Sequence, residues 1–178
     1  DELRDALEEL IGLGARAIVL DLRDNPGGYL NAAIDVASEF IADGVIVFQE
    51  DSRGRRLPMD AGSGGVALDL PLVVLVNRGS ASASEIVAGA IQDHGRGVLV
   101  GETTFGKGSV QNVHELSDGS QLRVTVAAWL TPNGKLIHKE GIEPDVVVTP
   151  APVPTQRPTD VAATPAATET PAPTATPV

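Results

Sequence analysis

The stretch "PLVVLVNRGSASASEIVAGA", residues 71–90, decides how this chain folds. It opens on a continuous apolar run, 71–77, of the kind a strand shows when both its faces are covered. It closes on Ile86, Val87 and Ala90, which with Ile91 share one side of a helix predicted over 83–94. Between strand and helix stand Ser80, Ser82 and Ser84, at alternate positions. In open α/β sheets, ligands sit beyond the carboxyl ends of the strands. The three serines occupy that place.

Working outward, the same alternation recurs. Leu3, Ala6, Leu7, Leu10 and Ile11 follow helical spacing, and Gly12 or Gly14 ends that helix. "ARAIVLDL" (15–22) predicts a covered strand, and residues 30–42 a helix with Leu30, Ala33, Ile34, Ala37 and Ile41 inward. "GVIVFQE" (44–50) is a strand, and "DSRGR" a turn into a short second one. "GVLVGE" (97–102) and "DVVV" (145–148) are further strands. "SVQNVHEL" and "QLRVTVAAWL", joined by "SDGS", form an antiparallel hairpin. The fold class is α/β: a largely parallel sheet, helical crossovers of right-handed βαβ type, and a C-terminal antiparallel hairpin.

Composition limits the function. The 178 residues suit one ordinary domain. A net charge of −11 argues against nucleic acid and anionic membranes as partners. With no cysteine, there is no disulfide, thiolate metal site or cysteine nucleophile. No apolar run is long enough to span a bilayer. "DELRDALEELIGLG" is a charged helix without a starting Met, not a signal peptide, so the chain is expected to be a piece of a longer protein. Composition changes near Thr149, and eight of the 13 prolines fall from residue 150 onward. Residues 150–178 are expected to be a disordered, extended tail after a domain at 1–149.

Three segments follow strand ends: "RDNPGG" (23–28), "RGSASASE" (78–85) and "TTFGKGSVQ" (103–111). If their strands are neighbours, the segments meet at one edge. "NPGG" suits either a sharp turn or a turn that offers free N–H groups to a developing negative charge. Ser82 and Glu85 fit a capping box, which makes Ser82 a helix cap. The same place suits a nucleophile, because the N–H groups and dipole of a helix start favour an oxyanion. A nucleophilic serine needs a base. His94, His114 and His138 lack a setting that marks one. Lys107 is the other candidate. A lysine serves only if burial pulls its pKa from about 10 toward 7–8. Phe105, Gly106 and Gly108 are compatible with such burial; the alternative is an exposed lysine in a glycine turn.

"LDLRDNPGG", "VLVNRGSASASEIVAGAIQDHGRGVLVGETTFGKGSVQ" and "TPNGKLIHKEGIEPDVVV" together resemble the carboxyl-terminal processing, or tail-specific, proteases. The resemblance covers residues 1 to about 149 in order. It implies a ClpP/crotonase-like core and a serine–lysine endopeptidase outside the cytoplasm, in the periplasm, cell envelope or secreted. By resemblance the nucleophile is Ser82, the base Lys107, and Gln111 orients the lysine. The oxyanion hole is the backbone N–H of Ala83 with that of Gly27. Asp93 and Glu85 match auxiliary acidic positions. Family members carry an upstream PDZ domain that is absent from this chain.

The implied partners are proteins or peptides with accessible C-termini, with no metal or cofactor, and a homo-oligomer is left open. Two other readings are a non-catalytic module that binds peptide by strand addition, and a crotonase-type acyl-CoA enzyme. Ser82, Lys107 and Gln111 together argue against the first, and the Ser82–Lys107 pair against the second.

Overall fold

The computed structural model describes residues 2–148. The tail expected over 150–178 lies outside them. The elements are α1 (Glu2–Gly12), β1 (Ile18–Asp21), α2 (Leu30–Ser38), β2 (Val45–Asp51), β3 (Arg56–Asp60), β4 (Leu72–Val76), α3 (Ala83–Asp93), β5 (Val98–Gly101), β6 (Ser109–Glu115), β7 (Gln121–Leu130) and β8 (Val146–Val147). They build two sheets. One is parallel, in the order β1-β4-β5-β8; the other is antiparallel, in the order β3-β2-β7-β6. The β6–β7 hairpin is therefore not an appendage. Its β7 pairs with β2 through Phe48↔Leu130 to Asp51↔Ala127, and so completes a second layer.

Helix α3 lies at the centre and packs on α2, β2 and β5. Ala83 to Ile91 are all buried along it. Its small and apolar residues allow this, because only Glu85 in that span carries a charge. Ile86, Val87 and Ile91 join Val74, Val76 and Leu99 of the parallel sheet in one core, to which α1 adds Leu7 and α2 adds Ala33 and Ala37.

The sequence reading differs from the structure in two respects. Helix α2 stops at Ser38 rather than continuing to 42; Ile41 still reaches the core, from the turn beyond. Strand β1, expected to be covered on both faces, is covered on one: Val19 (65 % exposed) stands on the other, in line with Val98 (45 %) and Val146 (48 %) of β5 and β8. An apolar run alone does not tell one covered face from two, because β-branched residues suit strands on either.

Candidate active site

Because β1, β4 and β5 are neighbours, the three segments that follow them meet at one edge. Hydrogen bonds make the junction. Ala81 N–H donates to the Asn25 carbonyl (3.0 Å), and Phe105 N–H to the Ser80 carbonyl (2.9 Å). Asp24 N–H donates to Asn77 Oδ1 (2.9 Å), and Asn77 Nδ2 returns a bond to Asp24 Oδ1 (3.0 Å).

The environment separates the three serines. Ser80 is fully buried; its hydroxyl donates to the Leu22 carbonyl (2.7 Å) and accepts from Asn77 N–H (3.0 Å), tying β4 to the end of β1. Ser84 is buried inside α3. Ser82 is half-buried and has φ 58° and ψ −116°. Side chains rarely adopt that conformation, and holding one there costs on the order of 1–3 kcal/mol. Only Asp24 and Lys139 share a positive φ with it among the described non-glycine residues. Asp24 belongs to the first segment, and Lys139 N–H donates to Gly106 of the third (2.8 Å). Strain is thus concentrated around this edge.

The capping box of Ser82 and Glu85 is met in outline. Its firm arm is Ser82 N–H donating to Glu85 Oε2 at 2.8 Å. The other arm is looser: Glu85 N–H faces the Ser82 side chain, as the box requires, while its strict hydrogen bond goes to the Ser82 carbonyl (2.9 Å).

Glu85 does far more than cap. It is fully buried. Oε2 accepts from the backbone N–H of both Ser82 and Lys107, each at 2.8 Å. The two nitrogens are therefore no farther apart than twice that distance. Oε1 accepts from Thr104 Oγ1 (2.5 Å) and Gly106 N–H (2.6 Å). A carboxylate so deep inside a protein requires such donors. Thr104, also buried, accepts in turn from Ile142 N–H (2.8 Å). Sequence reasoning missed Thr104, since nothing in "TTFGKG" tells its hydroxyl from that of exposed Thr103.

Gly27 packs directly against the serine turn. With φ +90°, a Cβ on it would lie 2.7 Å from Ala83 N and 2.9 Å from Ser82 Cβ. Its own N–H donates to Asn25 Oδ1 at 2.9 Å. The Ala83 N–H opens α3, where a helix leaves its first donors without intrahelical acceptors.

The lysine side is different. Lys107 is exposed, and Phe105 is 67 % exposed rather than covering it. The glycines do allow close packing: a Cβ on Gly108 would collide with the backbone N of His138. That packing anchors the main chain and leaves the side chains on the rim. Gln111, exposed and beside a register shift in β6, reaches Thr125 Oγ1 at 3.5 Å rather than Lys107. Asp93 is at the far end of α3, about 16 Å along the helix from Ser82, where Oδ2 accepts from Asn133 N–H at 2.8 Å. Among the histidines, His94 Nε2 contacts the Val45 carbonyl (2.8 Å) and His114 is exposed. His138 has a buried Nδ1 without a partner.

These features define a class: an α/β domain that presents a serine, on a strained strand-to-helix turn, at the carboxyl edge of its parallel sheet. The chain belongs to peptidase family S41, whose family model matches residues 1–148. It is 52% identical over 147 residues to the carboxyl-terminal-processing protease of Synechocystis sp. (83% of this chain, 34% of that protein). It is 51% identical over 144 residues to the chloroplastic carboxyl-terminal-processing peptidase 2 of Arabidopsis thaliana (80% of this chain, 28% of that protein). The solved photosystem II D1 C-terminal processing protease superposes with a TM-score of 0.78 at 46% identity, over 82% of this chain and 38% of that one. The chain spans about a third of the length of these relatives.

Proposed function

We propose that residues 1–149 are the catalytic domain of a serine endopeptidase that cleaves proteins in or near their C-terminal regions. The observation that carries this reading is the shared carboxylate: Glu85 Oε2 binds the main chain of Ser82 and of Lys107 at once. The C-terminal preference draws support from the names of the relatives, and an extracytoplasmic location from the family resemblance.

The chemistry is acyl transfer. Lys107, as the neutral amine, takes the proton of Ser82 Oγ, which attacks the scissile carbonyl. The N–H groups of Ala83 and Gly27 hold the oxyanion. For Gly27 this means exchanging its bond to Asn25 Oδ1. The tetrahedral adduct collapses, and the ammonium returns the proton to the departing amine. Water, deprotonated by Lys107, then hydrolyses the Ser82 ester. Lysine gives up a proton near neutral pH only where water is excluded or another cation is near. Lys107 is exposed here, so the bound substrate, or a further surface, has to cover it. Gln111 orients the amine after turning from Thr125. The position of Asp93 supports a part in holding the 131–134 turn rather than contact with Ser82.

A fluorophosphonate probe tests the reading. Mass spectrometry should place the adduct on Ser82, and labelling should vanish in Ser82→Ala. Equal labelling of Ser82→Ala would sink the serine mechanism and favour a peptide-binding or acyl-CoA role.

A further inference from the structure

The two N–H groups assigned to the oxyanion stand on different segments, Gly27 after β1 and Ala83 after β4. To grip one oxygen, both must come within about 2.7–3.1 Å of it. Neither segment sets that separation by its own geometry. It has to come from bonds that cross between them.

A reciprocal pair of side-chain bonds crosses shortly before Gly27. Asp24 N–H donates to Asn77 Oδ1 (2.9 Å), and Asn77 Nδ2 donates to Asp24 Oδ1 (3.0 Å). Asn77 Oδ1 also accepts from Gly79 N–H (2.9 Å). One carboxamide thus binds the approach to Gly27 and the approach to Ser82 together. The segments touch closely there: a Cβ on Gly79 would lie 2.5 Å from Asp24 Oδ1 and 2.8 Å from Asp24 Cα. Alongside, Ser80 Oγ and Ala81 N–H cross to the carbonyls of Leu22 and Asn25.

Asp24 has φ 57°, a conformation that glycine takes at lower cost. What the aspartate adds at that position is the acceptor for Asn77. A side chain kept on a sparsely populated backbone conformation is a feature of functional sites. Asp24 is also exposed, so burial does not demand the bond.

We infer that Asp24 and Asn77 are positioning residues that set the spacing of the two oxyanion donors, an assignment that rests on the serine-peptidase reading.

The test times fluorophosphonate adduct formation on Ser82 of the full chain by mass spectrometry. Asp24→Asn keeps the acceptor oxygen and should react within about threefold of the parent. Asp24→Gly removes it while relieving the backbone. Its melting midpoint should hold while its rate falls at least about tenfold. Asn77→Asp sets two carboxylates face to face and should be as slow. The double variant Asp24→Asn with Asn77→Asp places a donor opposite an acceptor again, in reverse, and should recover most of the rate. By NMR, the Gly27 amide proton should move downfield on phosphonylation of the parent, as it leaves Asn25 Oδ1 for the phosphonyl oxygen. In the Asp24→Gly adduct it should stay in place. A parental rate in Asp24→Gly, or a double variant no faster than Asn77→Asp, overturns the positioning role while the parent adduct upholds the mechanism. A midpoint in Asp24→Gly that falls along with the rate overturns it as well, because the pair then serves only the fold. No adduct in the parent overturns the serine-peptidase reading and this inference with it.

Discussion

The two sides of the candidate site are built differently. The serine side lies in the core: Ser82 opens a helix buried from Ala83 to Ile91, on a strained turn, with Gly27 pressed against it. The lysine side is fastened by its main chain, through Glu85 and the Phe105–Ser80 bond, and by the Thr104 hydroxyl, while the side chains of Lys107, Phe105 and Gln111 face solvent. Rigid placement therefore belongs to the proposed nucleophile. The proposed base is held at its main chain, with its side chain exposed. Under the proposed mechanism, such a site is assembled in the backbone and completed when something covers Lys107.

Removing the two reactive groups should have the largest effect, and the same effect on both sides. Ser82→Ala and Lys107→Ala should each lower turnover of an unfolded protein substrate roughly ten-thousandfold. Their melting curves should stay close to the parent. Full activity in Lys107→Ala with a dead His138→Ala would mean that the lysine side is not the base at all.

Next in size is the clasp between the sides. Glu85→Ala leaves the donors of Thr104 and Gly106 buried, and those of Ser82 and Lys107 partly buried, without their acceptor. That should destabilise by at least about 3 kcal/mol, lowering the thermal midpoint by roughly 10 °C. An unchanged midpoint in calorimetry would show that the two segments hold together without it.

Strain gives a smaller effect, confined to the serine side. Ser82→Gly should raise the midpoint by about 3 °C, since glycine adopts a positive φ without the side-chain penalty. Ser82→Ala should not. If both variants melt alike, the turn at Ser82 is relaxed in solution.

The smallest effect contrasts buried Glu85 with an exposed carboxylate, Asp21, at the end of β1. Arg23 donates to Asp21 through its side chain at 2.9 and 2.6 Å and its main chain at 3.0 Å. Those bonds, the side-chain ones foremost, lower the Asp21 pKa from 3.8 to about 2. A lowered folded-state pKa means that the stabilisation is complete above the unfolded value and is lost as pH falls through about 2. Asp21 is half-exposed, so solvent screens the pair and little stability depends on it. An NMR titration of Asp21 should show a midpoint near 2, returning toward 3.8 in Arg23→Ala. An ordinary midpoint in the parent would mean that the pair does not persist in solution.

Local patterns along the chain suffice for the order of elements and for the sheet edge where the three unusual segments fall. Apolar runs at 18–21, 72–76 and 98–101 and helical spacing over 83–93 are local patterns, set by which side chains must leave water. Three unusual segments after three strands were legible for the same reason. Tertiary structure decided what spacing cannot encode. The "SASAS" run offers three similar hydroxyls, and only packing spends Ser80 on the Leu22 carbonyl and leaves Ser82 on a strained turn. Glu85 had the spacing of a cap, yet its second oxygen and its burial bring in Thr104 and Gly106, some twenty residues away. The exposure of Lys107 depends on which surfaces meet over it, and no window of sequence holds that information. Local patterns follow from the chain's own periodicity, whereas a hydrogen bond between distant segments depends on how the whole chain packs.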